Sequence, residues 1–149
     1  MMAAVLAGCS STPPARVEDL PDDFSLSVTV LPGAGMDPAW YVVEPDGMLR
    51  AAVGERLPQS PRPPAVRTLS REQVREVWET ATRAGLTDHG RGGTRVSQSA
   101  AGAGASAAIV DVAAMGRRTT KTVARADDAA VADVQKVVTK LRGLAWVEE

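Results

Sequence analysis

Two residue types suited to covalent or proton-transfer chemistry occur only once each in this sequence. Cys9 is the only cysteine and His89 the only histidine among 149 residues. A thiolate is a nucleophile, whereas an imidazole titrates near neutral pH and can act as a general base. Asp88 directly precedes His89, so the pair could supply a base and the carboxylate that orients it.

The sequence around His89 does not complete a catalytic arrangement. It contains no Gly-x-Ser-x-Gly nucleophile motif, and one His with one Cys cannot supply a zinc site. The Gly-Ala-Gly runs at 33–35 and 102–104 lack the pattern of phosphate-binding loops. We therefore predict no catalytic, metal-binding or cofactor-binding residues, no cofactor, and a solvated His89. A hydrolase that uses Asp88 and His89 is the alternative.

Cys9 ends an apolar run and is followed at once by the polar segment 10–14, Ser-Ser-Thr-Pro-Pro. The run Leu6-Ala7-Gly8-Cys9 resembles the lipobox of bacterial lipoproteins, in which the thiol takes a diacylglyceryl group and becomes the first mature residue. The resemblance implies that Cys9 is the lipid-attachment site, with acyl chains such as palmitate. A signal peptide begins with a basic region, and neither Lys nor Arg precedes the motif. We therefore expect residues 1–8 to be only the last part of a signal peptide that starts further upstream.

The lipid would be the only contact between the chain and a bilayer. Each buried methylene contributes about 0.8 kcal/mol, so two acyl chains hold a protein stably where one holds it marginally. No stretch after Cys9 approaches the ~20 apolar residues of a spanning helix. We expect a lipid-anchored protein on the extracytoplasmic side of a cell membrane.

The charge balance argues against a nucleic-acid partner. The chain has 17 Lys and Arg against 18 Asp and Glu, a net charge of -1, whereas nucleic-acid binders are usually strongly basic. Arg117, Arg118, Lys121 and Arg125 form one local basic cluster, which we interpret as the exposed side of a polar strand. Contact with anionic lipid headgroups is the alternative.

The first half of the chain after the anchor predicts a linker and three strands. Residues 9–22 read as the lipid-attachment site and a flexible linker, with acidic residues that keep it solvated, and residues 23–149 as a single α+β domain. Apolar residues alternate with hydroxyls over 24–30, the pattern of a half-buried strand. Residues 40–43 and 48–53 form a hairpin around a Pro-Asp-Gly turn, and 54–66, with four prolines, an irregular loop.

The second half predicts two helices and two further strands. Ser70 and Gln73 form a capping box at the start of the first helix, and Gly85 ends that helix. After a long loop at 87–104 come two strands and a last helix. These three elements cover residues 107–114, 118–124 and 128–142, with Gly143 as the helix stop.

The resulting order is β-β-β-α-β-β-α. Hairpin connections imply an antiparallel sheet, which can leave one face in water while helices cover the other. We therefore expect an α+β fold with about five antiparallel strands and two amphipathic helices packed on one face. The three Trp would supply much of the core, since the chain holds only five aromatic residues.

Three loops are the expected contact surfaces for a protein partner, because recognition residues concentrate in loops on a rigid scaffold. These loops are residues 32–39, 54–66 and 87–104. With the lipobox they favour a membrane-tethered, non-catalytic binding or regulatory module, with a structural envelope lipoprotein as a further alternative to the hydrolase.

One further resemblance concerns layout. The glycine loop at 33–35 follows the first strand, and Leu69-Ser70-Arg71-Glu72-Gln73-Val74 opens the first helix. This order of elements is similar to that of the emfourins, small inhibitors of metalloproteases. The resemblance implies protease inhibition, but the proline-rich and glycine-rich insertions depart from the family, so no inhibitory residue is carried over.

Overall fold

A computed structural model describes residues 20–54, 61–88 and 105–146 of the chain. These residues form one antiparallel sheet with the strand order β4-β3-β2-β1-β5-β6 and two helices. The α+β fold is confirmed, with six strands where about five were expected. The elements are β1 Ser25–Val30, β2 Ala39–Val43, β3 Met48–Val53, β4 Ala65–Thr68, α1 Arg71–Arg83, β5 Ser106–Ala114, β6 Arg117–Ala124 and α2 Asp128–Ala145.

The additional strand, β4, lies partly inside the segment 54–66 that was predicted to be irregular. Proline has no N–H to donate, so a proline-rich stretch argues against a strand. The strand begins only after Pro64, whose carbonyl still accepts a hydrogen bond from the Ala51 N–H at 3.1 Å. Four residues at the edge of the sheet are then enough to extend it, with a register shift beside Leu49 in β3.

The central strand β1 follows the predicted alternation. Val28 lies opposite Tyr41 of β2 on one side and Val110 of β5 on the other, and all three are buried. The serines and threonine between the apolar positions of β1 point to the opposite face of the sheet, where they are half-buried. Period-two patterning therefore fixed both the strand and its orientation.

The β2–β3 turn depends on Gly47. Its φ of +86° is in the left-handed region that glycine tolerates best. A Cβ at this position would lie 2.8 Å from the carbonyl oxygen of Leu69, which itself donates its N–H to the Gly47 carbonyl at 2.8 Å. The turn is thus pressed against the segment that leads into α1.

The predicted ends of α1 are confirmed. Ser70 accepts from the Gln73 N–H and the Gln73 side chain accepts from the Ser70 N–H, a reciprocal capping box. At the other end Gly85, with φ +66°, donates to Thr82 O while Leu86 donates to Ala81 O. This pair of bonds is a Schellman motif, and Leu86 is buried beneath it.

Helix α2 starts as predicted but runs further. Asp127 caps it by accepting from the Ala130 N–H at 3.0 Å. The helix continues to Ala145, so the prediction that Gly143 stops it was wrong. Glycine ends a helix when the chain there needs a left-handed residue, whereas Gly143 lies within the helix. The extra turn buries Leu144.

The Asp23 carboxylate, at the start of the domain, is hydrogen-bonded to the β5–β6 turn. Asp23, expected only to solvate the linker, accepts from the backbone N–H of Met115 at 2.7 Å and of Gly116 at 2.6 Å. These two bonds stabilise the carboxylate and lower the pKa of Asp23 below its usual 3.8. The anion therefore holds the hairpin turn in place.

Both helices pack on one face of the sheet, as predicted, and the tryptophans divide unequally. Trp78 of α1 is fully buried and meets the Phe24 ring edge-on at a centroid distance of 5.1 Å. Trp40 is half-buried and Trp146 is 50% exposed. The other side of the sheet, here called the open face, carries the half-buried Ser25, Ser27, Thr29, Trp40, Val42, Ile109 and Asp111.

Candidate functional site: a cleft between a loop and helix α2

The residues predicted to bear chemistry do not come together in the described part of the chain. Cys9 and His89 lie outside the described residues, as do residues 55–60 and 89–104 of the expected contact loops. Asp88 is exposed, and its charge acts on the half-buried ammonium group of Lys121. Burial lowers the pKa of Lys121, and Asp88 opposes that shift.

The basic cluster of the sequence is divided in the fold. The side chain of Lys121 lies on the helix-covered face and donates to the Gly85 carbonyl at the end of α1. Arg118 lines the open face, while Arg125, beyond the strand, donates to the Pro32 carbonyl. Alternation along β6 sends neighbouring cations to opposite sides, so they do not form one patch.

The expected contact loop 32–39 forms one wall of a cleft of about 480 Å³. Helix α2 forms the other wall, and residues of β2 and β3 form the floor. We call this space the loop–helix cleft. Its lining combines an apolar floor with a few polar groups and consists of Gly35, Met36, Asp37, Ala39, Tyr41, Val53, Gln135, Val138, Thr139 and Arg142.

Tyr41 is the most buried polar group in this cleft. The residue is 1% exposed and belongs to the helix-covered side of β2. Burial raises the pKa of the Tyr41 phenol; the nearby Arg142 lowers it and Asp37 raises it. The residues that the structure describes offer the Tyr41 hydroxyl no hydrogen bond. The hydroxyl is not among the buried side-chain atoms of these residues that lack a partner, which are Trp78 Nε1 and Arg125 Nε, so it reaches the water of the cleft and is available to a ligand there.

A charged pair spans the cleft beside this phenol. Arg142 Nη1 of α2 lies 3.4 Å from Asp37 Oδ2 of the loop. The two side chains are 62% and 70% exposed, so water screens their attraction and the pair contributes little to stability. Their positions matter more: a donor fork and a carboxylate both lie within electrostatic reach of the Tyr41 hydroxyl.

The loop wall is braced from behind by Arg125. Its guanidinium donates to the Pro32 carbonyl and packs against Gly33, where a Cβ would lie 3.1 Å from a guanidinium nitrogen. Gly33 has a φ of +79°, a backbone conformation that glycine tolerates best. Its lack of a side chain also allows the guanidinium of Arg125 to approach closely. Residues after β6 thus set the position of the loop between β1 and β2.

A second aromatic ring lies against Tyr41. The Trp146 indole approaches edge-on, with a centroid distance of 6.2 Å and an interplanar angle of 80°. Trp146 was expected to fold back onto the core. It does contact Tyr41, yet half of its surface stays in water, so its contribution to the core is partial.

A larger cleft of about 550 Å³ lies on the open face, and its two acidic groups Glu44 and Asp111 are already paired. Glu44 Oε1 accepts from Arg50 Nε at 3.1 Å and from Arg62 Nη1 at 2.9 Å. Asp111 accepts from the Thr120 hydroxyl. The loop–helix cleft differs because the hydroxyl of an otherwise buried tyrosine opens into it without a hydrogen bond from the described residues, and we take it as the candidate site.

This site is difficult to predict from the sequence. Because Val42 and Val43 follow directly, the sequence predicts that Trp40 and Tyr41 pack in the core, with a recognition patch at a loop edge as the alternative. Core packing is correct for the Tyr41 ring, whereas its hydroxyl opens into the cleft. Asp37 and Arg142 lie 105 positions apart, and no periodicity connects them. The feature of the sequence that pointed to this site was the position of Asp37 in loop 32–39, which we expected to contact a partner.

No known protein family, curated protein or solved structure matches this chain. The resemblances to bacterial lipoproteins and to emfourins therefore stay predictions. Within residues 20–54, 61–88 and 105–146, no helix is long and apolar enough to cross a membrane. In the same ranges, no group of three His, Cys, Asp or Glu residues could hold a metal ion.

Proposed function

We propose that this protein is a lipid-anchored binding module on the extracytoplasmic side of a cell membrane, with no catalytic step of its own. The anchor part rests on Leu6-Ala7-Gly8-Cys9 and on the polar segment that follows it. The binding part rests on one observation: Tyr41 is buried except where its hydroxyl opens into a cleft walled by an expected contact loop.

The composition of the cleft supports binding. Ligand sites are usually concave and mostly apolar, with a small number of polar groups that fix orientation. Here Met36, Ala39 and Val138 supply apolar surface, and Asp37 and Arg142 bring an acceptor and a donor.

Mass spectrometry of the protein isolated from its source organism tests the anchor. We expect a diacylglyceryl group on the Cys9 sulfur and recovery in the membrane fraction. The Cys9→Ser variant should carry no lipid and leave that fraction. An unmodified thiol in the wild-type protein would remove the membrane part of the proposal.

A second experiment tests the non-catalytic part. Wild type and His89→Ala are assayed on generic esterase and peptidase substrates, and we expect neither to turn over. Hydrolysis by wild type that disappears in the variant would instead establish the hydrolase alternative at Asp88 and His89.

A further inference from the structure

The Tyr41 hydroxyl defines what a ligand in the loop–helix cleft must offer. A phenol donates one hydrogen bond and accepts others; the described residues supply this one with none, and the hydroxyl faces the water of the cleft. A ligand group that both donates and accepts, such as a hydroxyl, would satisfy it fully. A purely apolar ligand would leave it unpaired, which is unfavourable in a closed site.

The charges of the cleft constrain the net charge of the ligand. Asp37 and Arg142 cancel each other, and among the lining residues that the structure describes no other is charged. An anion that binds Arg142 would face the Asp37 carboxylate, and a cation that binds Asp37 would face the guanidinium. A neutral ligand with neighbouring hydroxyls avoids both conflicts, since it can donate to Asp37 and accept from Arg142.

The remaining lining fits the carbon skeleton of such a ligand. Met36, Ala39, Val53 and Val138 present apolar surface, and Gln135 and Thr139 add neutral hydrogen-bonding groups on α2. The volume of about 480 Å³ lies within the range of small-molecule sites. A molecule with C–H surfaces and many hydroxyls matches this mixture.

We propose that the loop–helix cleft binds a neutral saccharide, with adjacent hydroxyls held by Asp37, Arg142 and the Tyr41 hydroxyl. This inference rests on the proposed binding function and names its ligand class. The saccharide donates to Asp37, accepts from Arg142 and pairs with Tyr41, while its C–H surface covers Met36 and Val138. Tyr41, Asp37 and Arg142 are then the residues that determine specificity.

The test is a titration of the full chain, followed by NMR, with the neutral disaccharides cellobiose, maltose and N,N′-diacetylchitobiose and with glucuronic acid as the anionic probe. We expect at least one neutral sugar to shift the resonances of Tyr41 and Thr139. Glucuronic acid should bind at least tenfold more weakly. Tyr41→Phe keeps the ring and should weaken sugar binding about tenfold, as expected for one lost hydrogen bond.

Matched variants separate the cleft from the rest of the sheet. Asp37→Asn and Arg142→Gln should each weaken binding tenfold or more, whereas Ser27→Ala on the open face should leave it unchanged. Binding by Tyr41→Phe equal to wild type, preference for glucuronic acid, or no binding of any neutral sugar overturns the proposal.

The experiments on the lipid anchor and on saccharide binding test the two proposals independently. If Cys9 carries lipid and no sugar binds, the proposed saccharide ligand is excluded and the proposed membrane location is retained. If a neutral sugar binds and Cys9 is unmodified, the cleft is established and only the anchor is lost.

Discussion

The two faces of the sheet are built from the same strands and have opposite characters. On the helix-covered face of β1, Leu26, Val28 and Val30 are at most 1% exposed. On the open face, Ser27 lies between them in sequence and accepts a hydrogen bond from Trp40 Nε1 at 3.2 Å. One face is therefore closed by apolar packing, whereas the other carries half-buried side chains, among them a polar pair.

The largest test of this contrast uses the two tryptophans. Trp78→Ala should destabilise the fold by about 3–5 kcal/mol, because a fully buried ring leaves a cavity. Trp40→Ala should cost about 1–2 kcal/mol, because the ring is half-buried and loses one hydrogen bond. Urea unfolding measures both losses. Equal losses would mean that the open face is packed as tightly as the covered one.

Adjacent residues in β1 give a finer test. Val28→Ser should destabilise by about 2–3 kcal/mol, because it removes buried apolar surface and leaves a hydroxyl in the core. Ser27→Ala should change the free energy of unfolding by about 1 kcal/mol or less, the net value of its bond from Trp40. Thermal or urea unfolding of the pair is decisive: a larger loss at position 27 reverses the assignment of the faces.

The smallest expected effect concerns Asp23, which lies on neither face. Its folded pKa is below 3.8, so the stabilisation by its anion is present above pH 3.8 and is lost as the pH falls through the folded pKa. The group is exposed and screened, so we expect less than about 1 kcal/mol. Stability measured from pH 5 to 2 should fall less steeply in Asp23→Asn, and parallel curves would contradict this.

The sequence predicted those elements whose residues carry local information. Alternation identified β1, and Ser70 with Gln73 located the start of α1. The strand β4 was missed because its pairing with β3 outweighs the prolines before it. The end of α2 was misplaced because Gly143 is tolerated inside a helix whose last turn is held by the burial of Leu144.

The candidate site was less predictable for a physical reason. Its polar groups come from three elements far apart in sequence, and only tertiary packing brings Asp37 and Arg142 to 3.4 Å. A lone tyrosine in an apolar strand is an ordinary core residue until the environment of its hydroxyl is known. Sequence patterns report which side of a strand is buried and say nothing of unpaired atoms.

The bond from Arg125 to the Pro32 carbonyl has a thermodynamic consequence for anything that binds beside it. A wall already fixed by a guanidinium loses little conformational entropy when a molecule docks against it. A ligand can then associate without a slow rearrangement of the loop. Differences in affinity between ligands should therefore arise mainly from their dissociation rates.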